Sequence, residues 1–320
     1  MRHRAVAALA LCVAMTSPLH AQARGDGARA YWKKPIGTHA VSTTFQLSTG
    51  NVGFNTELPI TGAVIESTVF IASYTAYFGL FGRLNMATIA LPAGTMTGNT
   101  TGVSPIAIDV ATKGRADPVL SWNINLIGGP ALDVREFASY RQRTVIDFNT
   151  WITAPLGSHD EEEPVNIGTD RWMFRFGFPF IQTLGRWNPG SITTLELFPS
   201  VSFFTASGPD SARVEQKPMF NLQGHITRDL VEQLWVSLDG IWQKGGETSI
   251  DDVDQDNEQN ATSLGLTVGY QITPAFRLTA SWGNSLNDDD DGVNTNTITF
   301  QMAYGWNPAA LRAARRAGGT

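Results

Sequence analysis

The fold is decided by the segment Ile298-Thr299-Phe300-Gln301-Met302-Ala303-Tyr304-Gly305-Trp306, whose side chains alternate between two kinds. Apolar residues occupy every even position and end in two aromatics, whereas small or polar residues occupy the odd positions. An alternation with period two is typical of a β-strand that has one apolar face and one polar face. The last third of the chain therefore ends in a two-faced strand.

The same alternation recurs upstream, where Leu264, Leu266, Val268 and Tyr270 are separated by serine, glycine and threonine. Twelve such runs are predicted, at 38–50, 62–77, 84–92, 116–128, 143–155, 170–184, 191–206, 218–228, 233–247, 260–272, 276–286 and 295–306. Ordinary globular strands have about 5–6 residues, whereas a tilted membrane strand needs about 9–11. The sequence therefore predicts an all-β fold, a closed antiparallel transmembrane β-barrel of about 12 strands.

The connections between these runs alternate in character. Short or neutral connections are predicted at Phe78–Arg83, Gly185–Pro189, Asp229–Glu232 and Thr273–Ala275, with Gly129–Gln142 as a longer exception. Acidic clusters occupy the other connections, at Asp160–Glu163, Asp251–Glu258 and Asp288–Asp291. Short periplasmic turns at one rim and long extracellular loops at the other are typical of outer-membrane barrels.

Composition excludes several classes of protein. Charged residues make up 16% of the chain and the net charge is −6, whereas soluble domains carry about 25% charged residues. A nucleic-acid-binding surface needs clustered positive charge, so no nucleic-acid partner is predicted. Beyond the N-terminus, the chain has no apolar stretch long enough for a transmembrane helix.

The N-terminus has the pattern of a secretory signal peptide. Arg2 and Arg4 precede an apolar stretch, and Ala21-Gln22-Ala23 offers a cleavage site. Residues 1–23 are therefore predicted to be removed, together with the only cysteine, Cys12, which follows a bulky leucine where lipoprotein signals have a small residue. Further segments are predicted at 24–37 (N-terminal, periplasmic), 38–306 (barrel) and 307–320 (a tail, either a short helix or disordered).

Several segments carry a family resemblance. In chain order, they are Gly114-Arg115-Ala116-Asp117-Pro118, Asn125 through Leu132, Thr153-Ala154-Pro155-Leu156-Gly157, Asn166 and Gly168 with Arg171, Trp172 and Phe174, and Leu222-Gln223-Gly224-His225. As an ordered set they resemble the meta-pathway of phenol degradation family of outer-membrane transporters, over residues 31–306. The resemblance implies an outer-membrane location in Gram-negative bacteria and passive movement of small, often aromatic, compounds. It marks six family-motif residues: Asp117, Pro118, Asn166, Gly168, Arg171 and Trp172. The chain departs from the family at Thr262, where an arginine is usual.

If the apolar face meets lipid, a set of charged residues points into the lumen. Because an arginine facing lipid near the midplane costs about 2–4 kcal/mol, the alternation predicts channel-lining positions for Asp147, Arg175, Glu196, His225, Asp239 and Arg277. Such residues either form a polar constriction that selects solutes or pair internally and fill a narrow barrel. Twelve strands lie between filled barrels of about eight and open ones of about 16–18, so both alternatives stay open.

Two loops admit more than one interpretation. The Gly- and Thr-rich segment Pro92–Lys113 is predicted to cap the outer mouth or to fold inward as a plug or gate. The Asp288–Asp291 run, followed by Gly292, has the oxygen ligands that calcium prefers. It lacks the spaced pattern that ends in a bidentate glutamate, so a solvated acidic loop facing lipopolysaccharide is favoured and no metal site is predicted.

No catalytic motif is present in the sequence. Only His39, His159 and His225 follow the predicted signal peptide, and no Gly-x-Ser-x-Gly or zinc-type spacing occurs. The first hypothesis is therefore a passive outer-membrane channel for small hydrophobic or aromatic solutes, with no cofactor. The alternatives are a structural or surface-binding barrel without an open pore and, third, an outer-membrane enzyme. The predicted partners are outer-membrane lipid and lipopolysaccharide, and the barrel-insertion machinery, which recognises aromatic-terminated last strands such as the one at Trp306.

Overall fold

The computed structural model describes residues 26–50, 63–100, 109–160, 166–208, 213–286 and 295–317. The predicted signal peptide, the Asp288–Asp291 run and the tip of the Pro92–Lys113 segment lie outside the described residues. None of the helices in the described part of the chain is long and apolar enough to cross a membrane.

Most of the described chain is β-strand. The strands are β1 (His39–Gly50), β2 (Ala63–Leu80), β3 (Arg83–Thr100), β4 (Asp109–Arg115), β5 (Val119–Ile127), β6 (Thr144–Thr153), β7 (Met173–Gly177), β8 (Phe180–Leu184), β9 (Thr193–Phe204), β10 (Val214–Gln216), β11 (Met219–Val231), β12 (Leu234–Gly245), β13 (Thr248–Ile250), β14 (Val253–Asp254), β15 (Gln259–Gln271), β16 (Phe276–Ser285) and β17 (Thr295–Trp306). The described residues also contain two helices, α1 (Val134–Ser139) and α2 (Pro308–Ala317).

Fourteen of these strands form one antiparallel sheet with twelve positions around its circumference. Two positions hold a pair of short strands, because β4 and β5 both pair with β3, and β7 and β8 both lie between β6 and β9. The sheet closes where β1 pairs with β17, in a register that runs from His39 opposite Trp306 to Gly50 opposite Thr295. The predicted closed barrel of about 12 strands is therefore confirmed.

The outer face of the barrel is apolar, as the alternation predicts. Large apolar side chains such as Leu266 and Met302 are each 52% exposed, and their inward neighbours on the same strands are small or polar. Near the short-turn rim, His39, Tyr74, Tyr304 and Trp306 stack on one another with ring centroids 5.6–6.5 Å apart. Aromatic belts of this kind mark the level of the lipid head groups.

The two rims differ in the length of their connections. Phe81 and Gly82 alone join β2 to β3, and two residues join β11 to β12. At the opposite rim, the connecting segments 205–218 and 246–258 are longer. They contain β10, β13 and β14, which form a separate three-stranded sheet. This asymmetry places the short turns on the periplasmic side and the longer loops on the extracellular side.

The structure corrects the interpretation of the Pro92–Lys113 segment. Its described part continues the barrel wall as a hairpin, in which Ala93–Asn99 of β3 pair with Asp109–Arg115 of β4. Extended backbone in this hairpin satisfies its hydrogen bonds within the sheet, so these residues are not available as an inward plug. Glycine and threonine at alternate positions concealed the strand, because neither face of the segment is strongly apolar.

A short helix in the long periplasmic connection is the second difference. The sequence showed no helical period before the tail, yet α1 spans Val134–Ser139. Asp133 caps it by accepting bonds from the backbone N–H groups of Arg135 and Glu136, and the Glu136 side chain accepts from the Asp133 N–H. This capping box is readable as Asp-x-x-Glu in the sequence, but six residues are too few to show a period.

Replacing Leu266 by arginine tests the membrane-facing surface. Leu266 lies near the middle of the 13-residue strand β15 on the outer face, so Leu266→Arg is expected to lower the free energy of unfolding by about 2–4 kcal/mol. Urea unfolding in lipid vesicles measures the change. Val253→Arg is the control, because Val253 is exposed in the extracellular sheet. Equal effects of the two substitutions would contradict the assignment of the outer face.

Candidate functional site: the barrel lumen

The lumen contains residues 26–37, which precede the first strand and are called here the N-terminal segment. This segment, predicted as periplasmic, enters the barrel from the periplasmic rim, where the Gly37 N–H donates to the Tyr77 carbonyl oxygen of β2 (2.8 Å). At the other end of the segment, inside the barrel, the Asp26 N–H donates to the Gln223 side chain of β11 (2.9 Å). The segment therefore passes along the interior of the barrel, among side chains that the alternation places inward.

Glu196 is the main acceptor for the N-terminal segment. Its carboxylate receives the Arg29 backbone N–H (2.8 Å), the Trp32 indole N–H (2.7 Å) and the Thr194 hydroxyl (2.8 Å). The residue is 6% exposed. A buried carboxylate needs such donors to offset its lost hydration. The donors of the segment therefore stabilise the charge of Glu196, and Glu196 in turn holds the segment in place.

The Arg29 side chain extends the attachment to the next strand. Its guanidinium forms an ion pair with Asp229 at 2.7 Å and donates to the Thr227 hydroxyl at 3.0 Å. The same group lies over the rings of Trp32 (4.1 Å to the centroid) and Trp235 (4.7 Å). Charge pairing and aromatic contacts therefore act together on one side chain.

Asp147 on β6 binds the segment at Lys33. This carboxylate is fully buried, forms an ion pair with the Lys33 ammonium group, and accepts from Asn123 (2.9 Å) and Asn125 (2.7 Å). Each of the partners lies on an inward position of β5 or on the N-terminal segment. The site is thus a charge pair whose remaining lone pairs are satisfied, as a buried pair requires.

Arg175 binds the innermost described residue of the segment. Its guanidinium donates to both carboxylate oxygens of Asp26, at 2.8 and 2.9 Å, and lies over the rings of Trp151 (4.3 Å) and Phe198 (5.1 Å). Internal pairing was one of the two alternatives for the charged lumen residues, and Arg175 and Glu196 lie on the paired strands β7 and β9. Each of them instead binds the N-terminal segment.

His225 and Asp239 form a pair that does not involve the segment. They are opposite each other in the register of β11 and β12, with Nδ1 and the carboxylate 2.7 Å apart. Asp239 also accepts from the Ser237 and Thr267 hydroxyls, both at 2.5 Å. Because Ser237 donates to the aspartate and not to the histidine, the three side chains do not have the nucleophile–base geometry of acyl-transfer enzymes.

Arg277, the sixth predicted lumen residue, differs from the other five. It occupies an inward position on β16, in register with Ala303 of β17, and has no hydrogen bond or ion pair with any described residue. Its surroundings are the inner faces of β16, β17, β1, β2 and β3, which are called here the open wall. Near the periplasmic rim these strands present small, half-buried side chains: Ala40, Ser42, Thr44, Ser73, Thr75, Ala90 and Ala303.

The remaining strands form a wall that the N-terminal segment covers. Inward residues of β6, β9, β11, β12 and β15 are nearly all buried, and many are among the least exposed of the chain. A space therefore remains between the segment and the open wall, and it is called here the passage. Towards the extracellular rim the passage narrows, because Gln46, Ser48 and Ser67 on the same strands are buried.

Lys34 projects from the N-terminal segment into the passage. Unlike its neighbour Lys33, it is exposed and forms no hydrogen bond or ion pair with the described residues. Enclosure by the barrel wall and the positive charges of Arg277 and Arg29 lower the pKa of Lys34 to about 8. The causes act in the same direction, because burial and like charges both disfavour the ammonium form.

The family-motif residues lie at the extracellular end of the wall, away from the passage. Asp117 accepts from the backbone N–H of Gly157 (2.8 Å), the backbone N–H of Thr169 (2.8 Å) and the Thr169 hydroxyl (2.7 Å). Gly157 and Gly168 pack so closely that a Cβ on either would lie 2.8 Å from backbone atoms of the other. The guanidinium of Arg171 lies 4.4 Å from the ring centroid of Phe204. These residues join the β4–β5 junction to the β6–β7 loop.

The sequence did not identify the residues of the N-terminal segment as part of the site. Arg29, Trp32 and Lys33 stood in a stretch without periodicity, and a strand pattern gives no information about a segment that crosses a lumen. One signal was available. Four basic residues (Arg24, Arg29, Lys33 and Lys34) precede a barrel for which three inward acids are predicted, and opposite charges enclosed together are expected to pair.

Residues 35–301 match the protein family described as "Putative MetA-pathway of phenol degradation". Because this match covers most of the chain, the protein belongs to that family, and the expected membership is confirmed. No curated protein sequence matches the chain.

Solved structures show the same fold. The COG4313 outer membrane channel from Pseudomonas putida F1 superposes with a TM-score of 0.71 at 18% identity, over 88% of this chain and 99% of the channel. The translocator domain of the autotransporter NalP from Neisseria meningitidis is less similar, with a TM-score of 0.45 at 10% identity over 85% and 89% of the two chains. The similarity to the COG4313 structure shows that the fold is that of an outer-membrane β-barrel, which supports an outer-membrane location.

A spin label on the N-terminal segment tests how the segment is held. In an Ala30→Cys protein carrying a nitroxide, Glu196→Ala is expected to make the label more mobile, because Arg29 and Trp32 lose a charged acceptor worth about 1.5–3 kcal/mol per hydrogen bond. Asp239→Ala is the matched control, since its carboxylate binds only wall residues. An unchanged electron paramagnetic resonance line shape in Glu196→Ala would contradict the attachment.

Proposed function

We propose that the protein is a passive outer-membrane channel for small hydrophobic or aromatic solutes. The observation that carries the proposal is the passage. Ala40, Ser42, Thr75 and Ala303 of the open wall are accessible to solvent there, whereas the inward residues of the wall behind the segment are nearly all buried. Small side chains on five neighbouring strands leave room for a solute, whereas the charged half of the lumen is filled by the N-terminal segment. Membership of a family described by phenol degradation supports an aromatic solute.

The lining of the passage agrees with a solute of mixed character. Ile71, Met86 and Pro92 add apolar surface to the serines and threonines of the open wall. A ring can contact such surface without displacing tightly bound water, and its polar substituents can exchange bonds with the hydroxyl groups. We also propose that residues 1–23 are a signal peptide, so that the mature chain begins close to Asp26 in the lumen.

A barrel without an open pore is the second candidate function. The burial of Gln46, Ser48 and Ser67 near the extracellular rim favours it, because these side chains reduce the space where the passage must open outward. Gln46 donates to Ser48 (3.1 Å), and Ser48 bonds Thr297 of β17 (2.8 Å). Conductance separates the two functions, since only an open passage carries ions.

Blocking the passage tests the channel function. Ala90 is an inward residue of the open wall, and Ala90→Trp is expected to reduce both single-channel conductance and the uptake of a neutral monocyclic aromatic compound to less than about half of the wild-type values, because the indole fills the space beside the segment. Uptake is measured in vesicles with lipopolysaccharide in the outer leaflet, since phospholipid alone is permeable to such compounds.

Ala87→Trp is the matched control, because Ala87 lies on the same strand and faces lipid. The control is expected to keep wild-type conductance and uptake. A wild-type protein that carries no current and gives no uptake above that of empty vesicles would contradict the channel and favour the closed barrel.

A further inference from the structure

The charges that line the passage are not balanced. Among the described residues, the inward acids Asp147, Glu196, Asp229 and Asp239 all have close partners, most of them on the N-terminal segment. Asp26 of the segment is likewise bound to Arg175. Two cations that face the passage, Lys34 and Arg277, have no acidic partner in this part of the chain. The acids of the filled half thus all have donors of their own, and the two cations without an acidic partner lie at the passage.

The two cations come from different sides of the passage. Lys34 is fixed by its neighbours on the segment, because Lys33 binds Asp147 and the Ile36 N–H donates to the Leu132 carbonyl oxygen (2.9 Å). Arg277 projects from the wall strand β16. Tyr77, an inward residue of β2, stands near the same rim, where its backbone bonds both Gly37 and Thr38. A solute that enters or leaves at the periplasmic rim therefore passes between an ammonium and a guanidinium group.

We propose that Lys34 and Arg277 form a binding site for the carboxylate of a small aromatic acid. The proposal rests on the proposed function, because a site of this kind lets the channel distinguish aromatic acids from neutral aromatic compounds. An anion between the two groups replaces their mutual repulsion by two attractions, and guanidinium binds carboxylate through paired N–H donors. Ala40, Ala303 and Ile71 provide the small and apolar surface beside which the ring of such a solute fits.

Enclosure by the barrel, and to a smaller extent repulsion by like charges, lower the pKa of Lys34. Its pKa of about 8 reflects enclosure and the charges of Arg277 and Arg29, and the charged groups that face it are cationic. An anion in the site opposes these effects and favours the ammonium form. Removing either cation in the absence of solute relieves repulsion, so the variants needed for a test are expected to fold.

Benzoate and its neutral analogue benzamide test the site by direct binding. With purified protein in detergent, ligand-observed NMR is expected to give wild-type affinity for benzoate about tenfold or more above that for benzamide. The double variant Lys34→Met, Arg277→Met is expected to bind the two compounds equally, while Lys34→Arg keeps the preference. Arg228→Met is the control, because Arg228 donates to Thr193 on the outer face near the rim.

The pH dependence gives a second readout that a structural role would not produce. From about pH 7 to about pH 9.5 the preference of the wild-type protein for benzoate is expected to fall, because Lys34 loses its charge. The Lys34→Arg protein is expected to keep the preference over the same range. Arg277, Arg29 and Tyr77 are the other titratable groups near the site.

Equal wild-type affinity for benzoate and benzamide, or a preference that survives in the double variant, would overturn the proposal. Preferential binding by a wild-type protein that carries no current would leave the site standing and count against the channel alone.

Discussion

The seam between β1 and β17 is the interaction on which the rest of the structure depends. Twelve residue pairs, from His39 and Trp306 to Gly50 and Thr295, join the first strand to the last. In lipid, an unpaired strand edge leaves backbone groups without partners at several kcal/mol each, so the sheet is stable in the bilayer only when it closes. Closure also creates the interior, in which the N-terminal segment and the passage lie.

The interior is divided into two halves by the N-terminal segment. On one half, the acids of the wall form ion pairs and hydrogen bonds with the segment and with neighbouring wall residues, in an environment with little water where an unpaired charge is costly. On the other half, small side chains leave a space that the segment does not fill. The same twelve residues therefore satisfy the buried charges of one wall and define the boundary of the passage along the other.

The wall of the barrel could be predicted from the sequence, because its constraint is local. Lipid on one face and water or protein on the other impose a period of two, and this pattern identified the twelve wall positions and the inward orientation of Glu196 and Arg277. The β3–β4 hairpin was missed because glycines and threonines hide the period. Helix α1 was missed because only its capping box marks it.

The partners of the inward charges could not be predicted in the same way. Arg175 and Glu196 lie on neighbouring parts of the wall, yet they bind Asp26 and Arg29, which are 149 and 167 positions away in the chain. A contact of that kind depends on where an irregular segment runs, and periodicity contains no information about it. The charge types alone indicated that pairing would occur, without indicating between which residues.

Because the wall acids have bound donors, the net charge of the protein does not describe the electrostatic potential inside its lumen. The chain as a whole is acidic, with a net charge of −6, and an isoelectric argument would assign it a preference for cations. Its described carboxylates inside the barrel already have donors, however, and the exposed acids Asp251, Asp252 and Asp254 lie in or next to the extracellular three-stranded sheet. A charged molecule that diffuses inward therefore meets a potential of one sign at the extracellular mouth and of the opposite sign in the passage. For this reason the net charge of the chain is a poor guide to which ions permeate such a barrel.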